Sequence, residues 1–333
     1  MTRTLLLLGL LASLAACGDG QPLFPDEDPD GPDTPAPGPE VPPGTDDPTA
    51  SSSINRYEAR DGAGGGYAES VSYDAASDTF TVDNLAFDGE NVYARDDTVP
   101  TLGGYRVFEA SKIVEDPTDG DPVDQFLYRA IVGRSTNTVN GEPRTEFAIV
   151  RTGAFASYGF GGFVYERNGG VELPTRGQAV YDGDYAGIRV FNGRGDIEYT
   201  TGDVRIAVDF EDFNDGEGVR GTISGREAFD VDGNPIPLNP DDDDLAGGML
   251  VLPDRIFEVG PGVLSPAGEL AGNLFSRGED EEGAQVDYET GKYYAIMAGD
   301  DAAEIVGIFV VTSTDPRDDS VTAQETGGFI VYR

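Results

Sequence analysis

Val204-Arg205-Ile206-Ala207-Val208-Asp209-Phe210 sends Val204, Ile206, Val208 and Phe210 to one side of the chain and Arg205 and Asp209 to the other. That is the period-two pattern of a strand with one buried face. Asn214-Asp215-Gly216-Glu217-Gly218 comes next as a turn and leads into a second strand, Val219 to Phe229. Working outward, Gly177 to Tyr181, Asp182-Gly183 and Asp184 to Phe191 read as a hairpin, because Asp-Gly adopts the positive φ angles of a type I′ turn. Asn168-Gly169, behind Gly162 to Arg167, marks a third hairpin. Tyr293 to Met297, Gly307 to Thr312 and Gly328 to Tyr332 carry the pattern to the last residues, and only Asp301 to Val306 has room for a helical turn or two. The 46 glycines suit bulges and bends in a curled sheet. The expected class is all-β, with a closed antiparallel barrel favoured because closure removes exposed edges, and a β-sandwich as the alternative.

The ordered part divides near residue 150. Residues 54–150 form a smaller, mostly β domain with loops at Asp96 to Gly104 and Asp116 to Asp121, whereas 151–333 packs turn signals at short intervals. Residues 18–53 hold ten prolines, five glycines, nine acids and no base, the composition of an extended tether, so that 17–53 reads as an attachment point and its linker. At ~3.1 Å per residue such a linker reaches roughly 100 Å.

Ahead of it, Met1-Thr2-Arg3-Thr4, the apolar run Leu5 to Leu14 and Leu14-Ala15-Ala16-Cys17 make a secretory leader with a lipobox. The run is too short to span a bilayer. Residues 1–16 are the expected signal peptide, cleaved between Ala16 and Cys17, and the Cys17 thiol is the expected lipid attachment point. Cys17 is the single cysteine of the chain, so a disulfide cannot account for it. Each buried acyl methylene contributes about 0.8 kcal/mol, and several chains hold a protein on a membrane almost permanently. Gly18 stands where an aspartate would imply retention in the inner membrane, by resemblance to Gram-negative lipoprotein sorting. An outer-membrane, surface location is therefore expected.

The chain has no histidine and no tryptophan. The Ser-His-Asp, Cys-His and zinc-histidine constellations are thus excluded, as is haem ligation through histidine. Paired carboxylates would still permit a glycosidase, but no tryptophan is present to stack sugars. No enzymatic activity and no cofactor are expected. With 22 basic and 62 acidic residues the net charge is -40, which repels nucleic acid and anionic headgroups.

Three groups of segments in the second part resemble the barrel domain of transferrin-binding protein B and related surface lipoproteins. They are Leu173 to Tyr181 with Gly183 and Tyr185; Asp209-Phe210 with Gly221-Thr222-Ile223-Ser224-Gly225; and Ala303-Glu304-Ile305-Val306-Gly307-Ile308-Phe309. The resemblance covers roughly Tyr158 to Arg333, with Arg176 interrupting the opening motif. It implies an eight-stranded barrel preceded by a smaller β handle, as a single handle-and-barrel lobe. It implies no ligand-contact residue, because the matched residues are scaffold in that family.

Candidate ligand groups are sparse. Asp230, Asp232 and Asn234 are weak candidates for a metal, but glycine comes fourth in that loop where a calcium loop needs it sixth. The Asp241 to Asp244 run reads as an exposed loop, Asp209 lies on a strand with the residues to Asp215 as its turn, and Tyr181, Tyr185, Tyr293 and Tyr294 read as packing residues before phenolate ligands. The expected function is a non-enzymatic, outer-membrane surface lipoprotein that binds a protein or nutrient carrier through barrel and handle loops. A TonB-dependent receptor or a surface-lipoprotein translocator is the expected cellular partner. An acidic coat protein without a specific ligand is the alternative. Cys17→Ser removes the thiol that takes the lipid, and cells fed labelled palmitate should yield an unlabelled, released protein; label retained on the variant would overturn the anchor.

Overall fold

The alternation at Val204–Phe210 is the inner face of a barrel strand in the computed structural model. The structure describes residues 39–333 apart from 63, 84, 86, 87, 89, 90, 117, 155, 156, 212–217, 239–247, 259–262 and 280–283. Ahead of the barrel lie β1 (Ile54–Tyr57), β2 (Val71–Asp74), β3 (Thr79–Val82), β4 (Val92–Arg95), β5 (Thr101–Leu102) and β6 (Tyr105–Ala110). Next come β7 (Ile113–Glu115), β8 (Pro122–Asp124), β9 (Tyr128–Arg134), β10 (Thr138–Val139), β11 (Glu142–Pro143), β12 (Thr145–Thr152) and β13 (Gly161–Arg167). One curled antiparallel sheet runs in the order β1-β13-β12-β9-β6-β4-β3-β2, with β5 on β6; β7–β8 and β10–β11 are separate two-stranded pairs.

The closed barrel comprises β14 (Gln178–Asn192), β15 (Ile197–Asp209), β16 (Val219–Phe229), β17 (Arg255–Phe257), β18 (Glu269–Glu279), β19 (Gln285–Ala298), β20 (Glu304–Asp315) and β21 (Asp318–Tyr332). Each strand pairs with its sequence neighbour, and β14 pairs with β21 to close the ring. The all-β class and the eight-stranded antiparallel barrel behind a handle-like sheet are therefore as expected.

Eight strands leave an interior just wide enough for side chains. One half is apolar and aromatic, built from Tyr181, Ile206, Ile223, Phe257, Leu274, Tyr293, Phe309 and Phe329. Gly307 lies opposite Phe329 and Gly327 opposite Phe309, and at each glycine a Cβ would strike the partner's ring. Glycine here lets two rings lie across the neighbouring strand. In the other half, Arg226, Arg255, Glu289 and Glu325 form a buried ionic layer. Arg226 meets Glu289 at 2.7 Å and Glu325 at 2.9 Å; Arg255 meets them at 2.6 and 2.7 Å. Ser276 and Thr200 donate to the same carboxylates, and Arg226 donates to the Tyr185 hydroxyl and the Pro253 carbonyl. Beyond it, Arg189, Arg194 and Arg317 pair with Glu198 and Asp315 around the Phe191 ring, closing that mouth.

The handle sheet packs on the outer wall of the barrel. Val107, Ile131, Phe147, Ile149, Phe163 and Tyr165 meet Ile188, Val190, Ile296, Val306, Ile308 and Ile330 in one apolar cluster. The alternate residues, among them Phe108, Tyr128, Ala130, Val132, Ala148 and Val150, pack with Phe80 and Tyr93 inside the curl. Both faces of β9 and β12 are thus covered, and a strand buried on both faces shows a continuous apolar run instead of alternation. This is why hairpins are hard to read before residue 150. Polar contacts stitch the seam: Arg56 forks onto Glu269 at 2.7 and 3.0 Å, and Glu304 accepts from Ser135, Asn137 and Thr145. The Tyr105 hydroxyl donates to the Asp184 carbonyl and accepts the Ile330 amide.

Four local expectations change. Asp182-Gly183 makes no turn but lies mid-way along β14, paired with Arg205 and Val204 of β15. Ladder bonds along the strand outweigh the local turn preference, and the Ile330 carbonyl occupies the place a Cβ at Gly183 would need. Asn168-Gly169 closes no hairpin with the segment after it, because Gly161–Arg167 is β13 and pairs with β1 and β12, inside the handle sheet. Asp301 to Val306 divides: the expected helical turn shrinks to a short 3-10 turn at Asp300–Ala302, and β20 takes over from Glu304. Residues 39–53, expected in the tether, lie against β1 and the barrel. Tyr57 donates to the Pro43 carbonyl, Arg56 to the Pro42 carbonyl, and Val171 to that of Ala50. Proline suits this edge, since it keeps the accepting carbonyl while lacking an N–H to satisfy.

Burial alone would raise the Glu325 carboxyl, but Arg255 and then Arg226 reverse this and hold it at about 2, below the ordinary 4.5. A depressed folded value means that the layer's contribution is whole above the ordinary range and lost as pH falls through the folded one. The urea midpoint should hold steady down to about pH 5 and fall steeply between about pH 4 and 2. Glu325→Gln leaves two guanidiniums on one carboxylate and should cost about 3–5 kcal/mol in urea unfolding; an unchanged midpoint would refute the layer's role.

Candidate functional site

The described interior of the barrel is occupied by packed apolar and ionic side chains, and the candidate groups named from the sequence lie on its loops and strands. The Asp230 loop is one sequence candidate, and its carboxylate is used by its own turn. One Asp230 oxygen accepts the Asp232 and Asn234 amides at 2.9 and 2.8 Å, and the other accepts the Asn234 side-chain amide at 2.9 Å. Asn234 therefore presents a donor where a cation would want an oxygen. Asp209 accepts from the Gln178 side chain and the Glu211 amide. Among the described residues no group of three or more His, Cys, Asp or Glu side chains is placed to hold a metal ion. Asp241 to Asp244, Ala16 and Cys17 lie outside the described residues.

The tyrosines are core groups. Tyr181 donates to the Ala302 carbonyl, and burial pushes its hydroxyl up to about 12; burial likewise raises Tyr185. Both directions oppose a phenolate ligand. Tyr294 stacks on Phe163 at the handle seam.

A different surface is concave. Because the handle sheet curls, β2 comes over β12 and β13 and leaves a groove of about 470 Å³ between them. Phe80, Val132, Ala148 and Val164 supply apolar lining, Val71 to Tyr73 run along it, and Glu69, Glu142, Glu146, Glu166 and Arg134 bring charge. Arg134 reaches Glu146 at 2.8 Å and Glu142 at 4.0 Å, with its guanidinium 4.8 Å from the Tyr73 ring centre. Glu166 takes one hydrogen bond, 3.2 Å, from the Asn55 side chain. Burial raises the Glu146 carboxyl, Arg134 opposes this, and Glu166 and Glu142 add to it, leaving it above its ordinary value. The sequence carried no visible sign of this groove, because it joins strands about ninety residues apart by curling one sheet. The barrel's ionic layer did leave a sign: Glu289 shares its face with Tyr293, Ala295 and Met297, and Glu325 with Phe329 and Val331, charges on the apolar side of their strands.

No family model and no curated protein matches the sequence. Among solved structures, this one is similar to three of Transferrin Binding Protein B. The Tyr-167-Ala and Trp-176-Ala double mutant from Haemophilus parasuis Hp5 has a TM-score of 0.35 and 11% identity over 77% of this chain and 41% of that one. Intact Ap-TbpB, with its N and C lobes, gives 0.35 and 11% over 84% and 46%. The isotype 1 protein from serogroup B Neisseria meningitidis gives 0.34 and 13% over 78% and 40%. The chain spans less than half the length of these proteins.

Since the Asp230 oxygens are engaged by their own turn, divalent cations should act on this protein through general screening of its charge. Sodium chloride and calcium chloride at matched ionic strength should raise the melting temperature by similar amounts. Saturable micromolar calcium binding, abolished by Asp230→Asn with Asp232→Asn, would contradict this.

Proposed function

We propose that this chain is a non-enzymatic lipoprotein, anchored through Cys17 to the outer membrane of a Gram-negative cell and displayed on its surface, where it binds a protein or nutrient carrier. The observation that carries this reading is a barrel whose described interior is occupied by apolar and ionic side chains, with the handle sheet packed on its wall. Such a body offers a stable platform for exterior recognition. The lipobox and the proline-rich acidic stretch behind it supply the anchor and the reach. Surface loops of the barrel and handle form the recognition surface, and a TonB-dependent receptor or a surface-lipoprotein translocator is the partner in uptake or display.

Two measurements test this. Protease applied to intact cells should cut ahead of residue 39, where the chain joins the folded body, and shed the domain; full protection on cells of proven integrity would place it in the periplasm. Purified protein should retain a partner from mixtures of host or environmental proteins. Repeated failure to retain any would favour the acidic coat.

A further inference from the structure

β2 ends the handle sheet, pairing with β3 on one side only. The Ser70 carbonyl accepts the Asp83 amide at 3.0 Å, so Ser70, Ser72 and Asp74 turn their backbone groups toward β3. By the alternation of an antiparallel ladder, Val71 and Tyr73 turn theirs away. These residues line the groove, so two N–H and two C=O groups form a strand template beside a cavity.

We propose that this edge accepts an extended segment of a partner protein as an added strand, with basic side chains at alternate positions. The inference rests on the reading of the chain as a protein binder. Backbone pairing along Val71–Tyr73 would supply affinity, and side chains at every second position would turn into the groove. There the carboxylates of Glu69, Glu142, Glu146 and Glu166 outnumber the one lining cation, Arg134. Arg60 offsets Glu69 at 2.7 Å, and Arg134 is shared between Glu146 and Glu142, so among the described residues Glu166 faces the groove with no cation of its own. Two other occupants carry the wrong charge. Residues 18–38 of this chain contain acids and no lysine or arginine, and a second copy would set one acidic groove against another.

The test uses the full-length protein and a fluorescent seven-residue peptide alternating lysine and valine, with a glutamate–valine peptide as control. The basic peptide should bind, lose affinity as salt is raised, and slow hydrogen exchange in the segment carrying Val71 and Tyr73; the acidic one should not bind. Val71→Pro removes one outward N–H at a position where an edge strand tolerates proline, and should weaken binding by about tenfold, the worth of one or two hydrogen bonds. Glu142→Gln with Glu166→Gln should weaken it too and flatten its salt dependence, whatever the folding of the proline variant. Absence of binding, unchanged exchange at β2, or equal binding by a folded Val71→Pro protein would overturn the site. So would a self-association that Val71→Pro abolishes, which would assign the edge to a second copy. If whole-protein capture persists in Val71→Pro, the binding function stands and this site falls.

Discussion

Arg226, Arg255, Glu289 and Glu325 are buried inside a barrel just wide enough for side chains, and every strand of the barrel contributes to satisfying them. Bringing four charges into such a space costs far more than any one ion pair returns, unless nearly every donor and acceptor is used. Here they are shared among all the strands. Tyr185 of β14, Thr200 of β15, Ser276 of β18 and the four ionic groups of β16, β17, β19 and β21 are hydrogen-bonded together, and Phe309 of β20 lies 4.7 Å beneath the Arg255 guanidinium. A one-residue slip of any of these strands would turn its member outward and leave a partner buried and unpaired. The layer therefore specifies register. It also explains β17, which at three residues would be a poor strand unless Arg255 tied it to β19 and β21.

The handle depends on that closure in turn. Its apolar face needs a continuous wall, and the wall is made by residues of β14, β15, β19, β20 and β21 that point outward because their neighbours point in. Glu304, Gly307 and Phe309 show the division of labour within six residues of β20. Glu304 reaches out to three handle donors, Gly307 makes room for a ring, and Phe309 fills the barrel beneath Arg255. Handle and barrel are consequently one body, and a change on either side of the seam is felt by both.

Legibility in the sequence depended on which interactions are local. Val204–Phe210 and Val219–Phe229 showed themselves because one face of each strand is packed and the other wet. The central handle strands hid, since a barrel covers one face and the curl of their own sheet the other. Asp182-Gly183 misled because its conformation is set by strands on both sides and not by the dipeptide. The proline-rich stretch at 39–53 was indistinguishable in composition from a free tether; what holds it is the set of carbonyl acceptors its prolines offer to β1, a feature visible only once the edge exists. The groove required the curvature of a whole sheet, which no window of residues encodes.

The same ion pairing shapes the surface. Seven arginines and eight carboxylates are buried among the described residues, so these buried charges nearly cancel and contribute almost nothing to the net charge of -40. The planar guanidinium fork can serve two carboxylates at once, which an ammonium does poorly. Arg226, Arg255 and Arg317 each do this, and the chain has only two lysines, Lys112 and Lys292, neither of them buried. Because the buried pairs cancel one another, the field outside is set by the acidic excess of the chain and has one sign. That field slows the approach of anionic surfaces and speeds that of basic ones, and the preference fades with salt because exposed charges are screened within about 8–10 Å. Core packing thus leaves partner choice to the exposed acids, since the arginines that hold the barrel shut are neutralised by the carboxylates they bind.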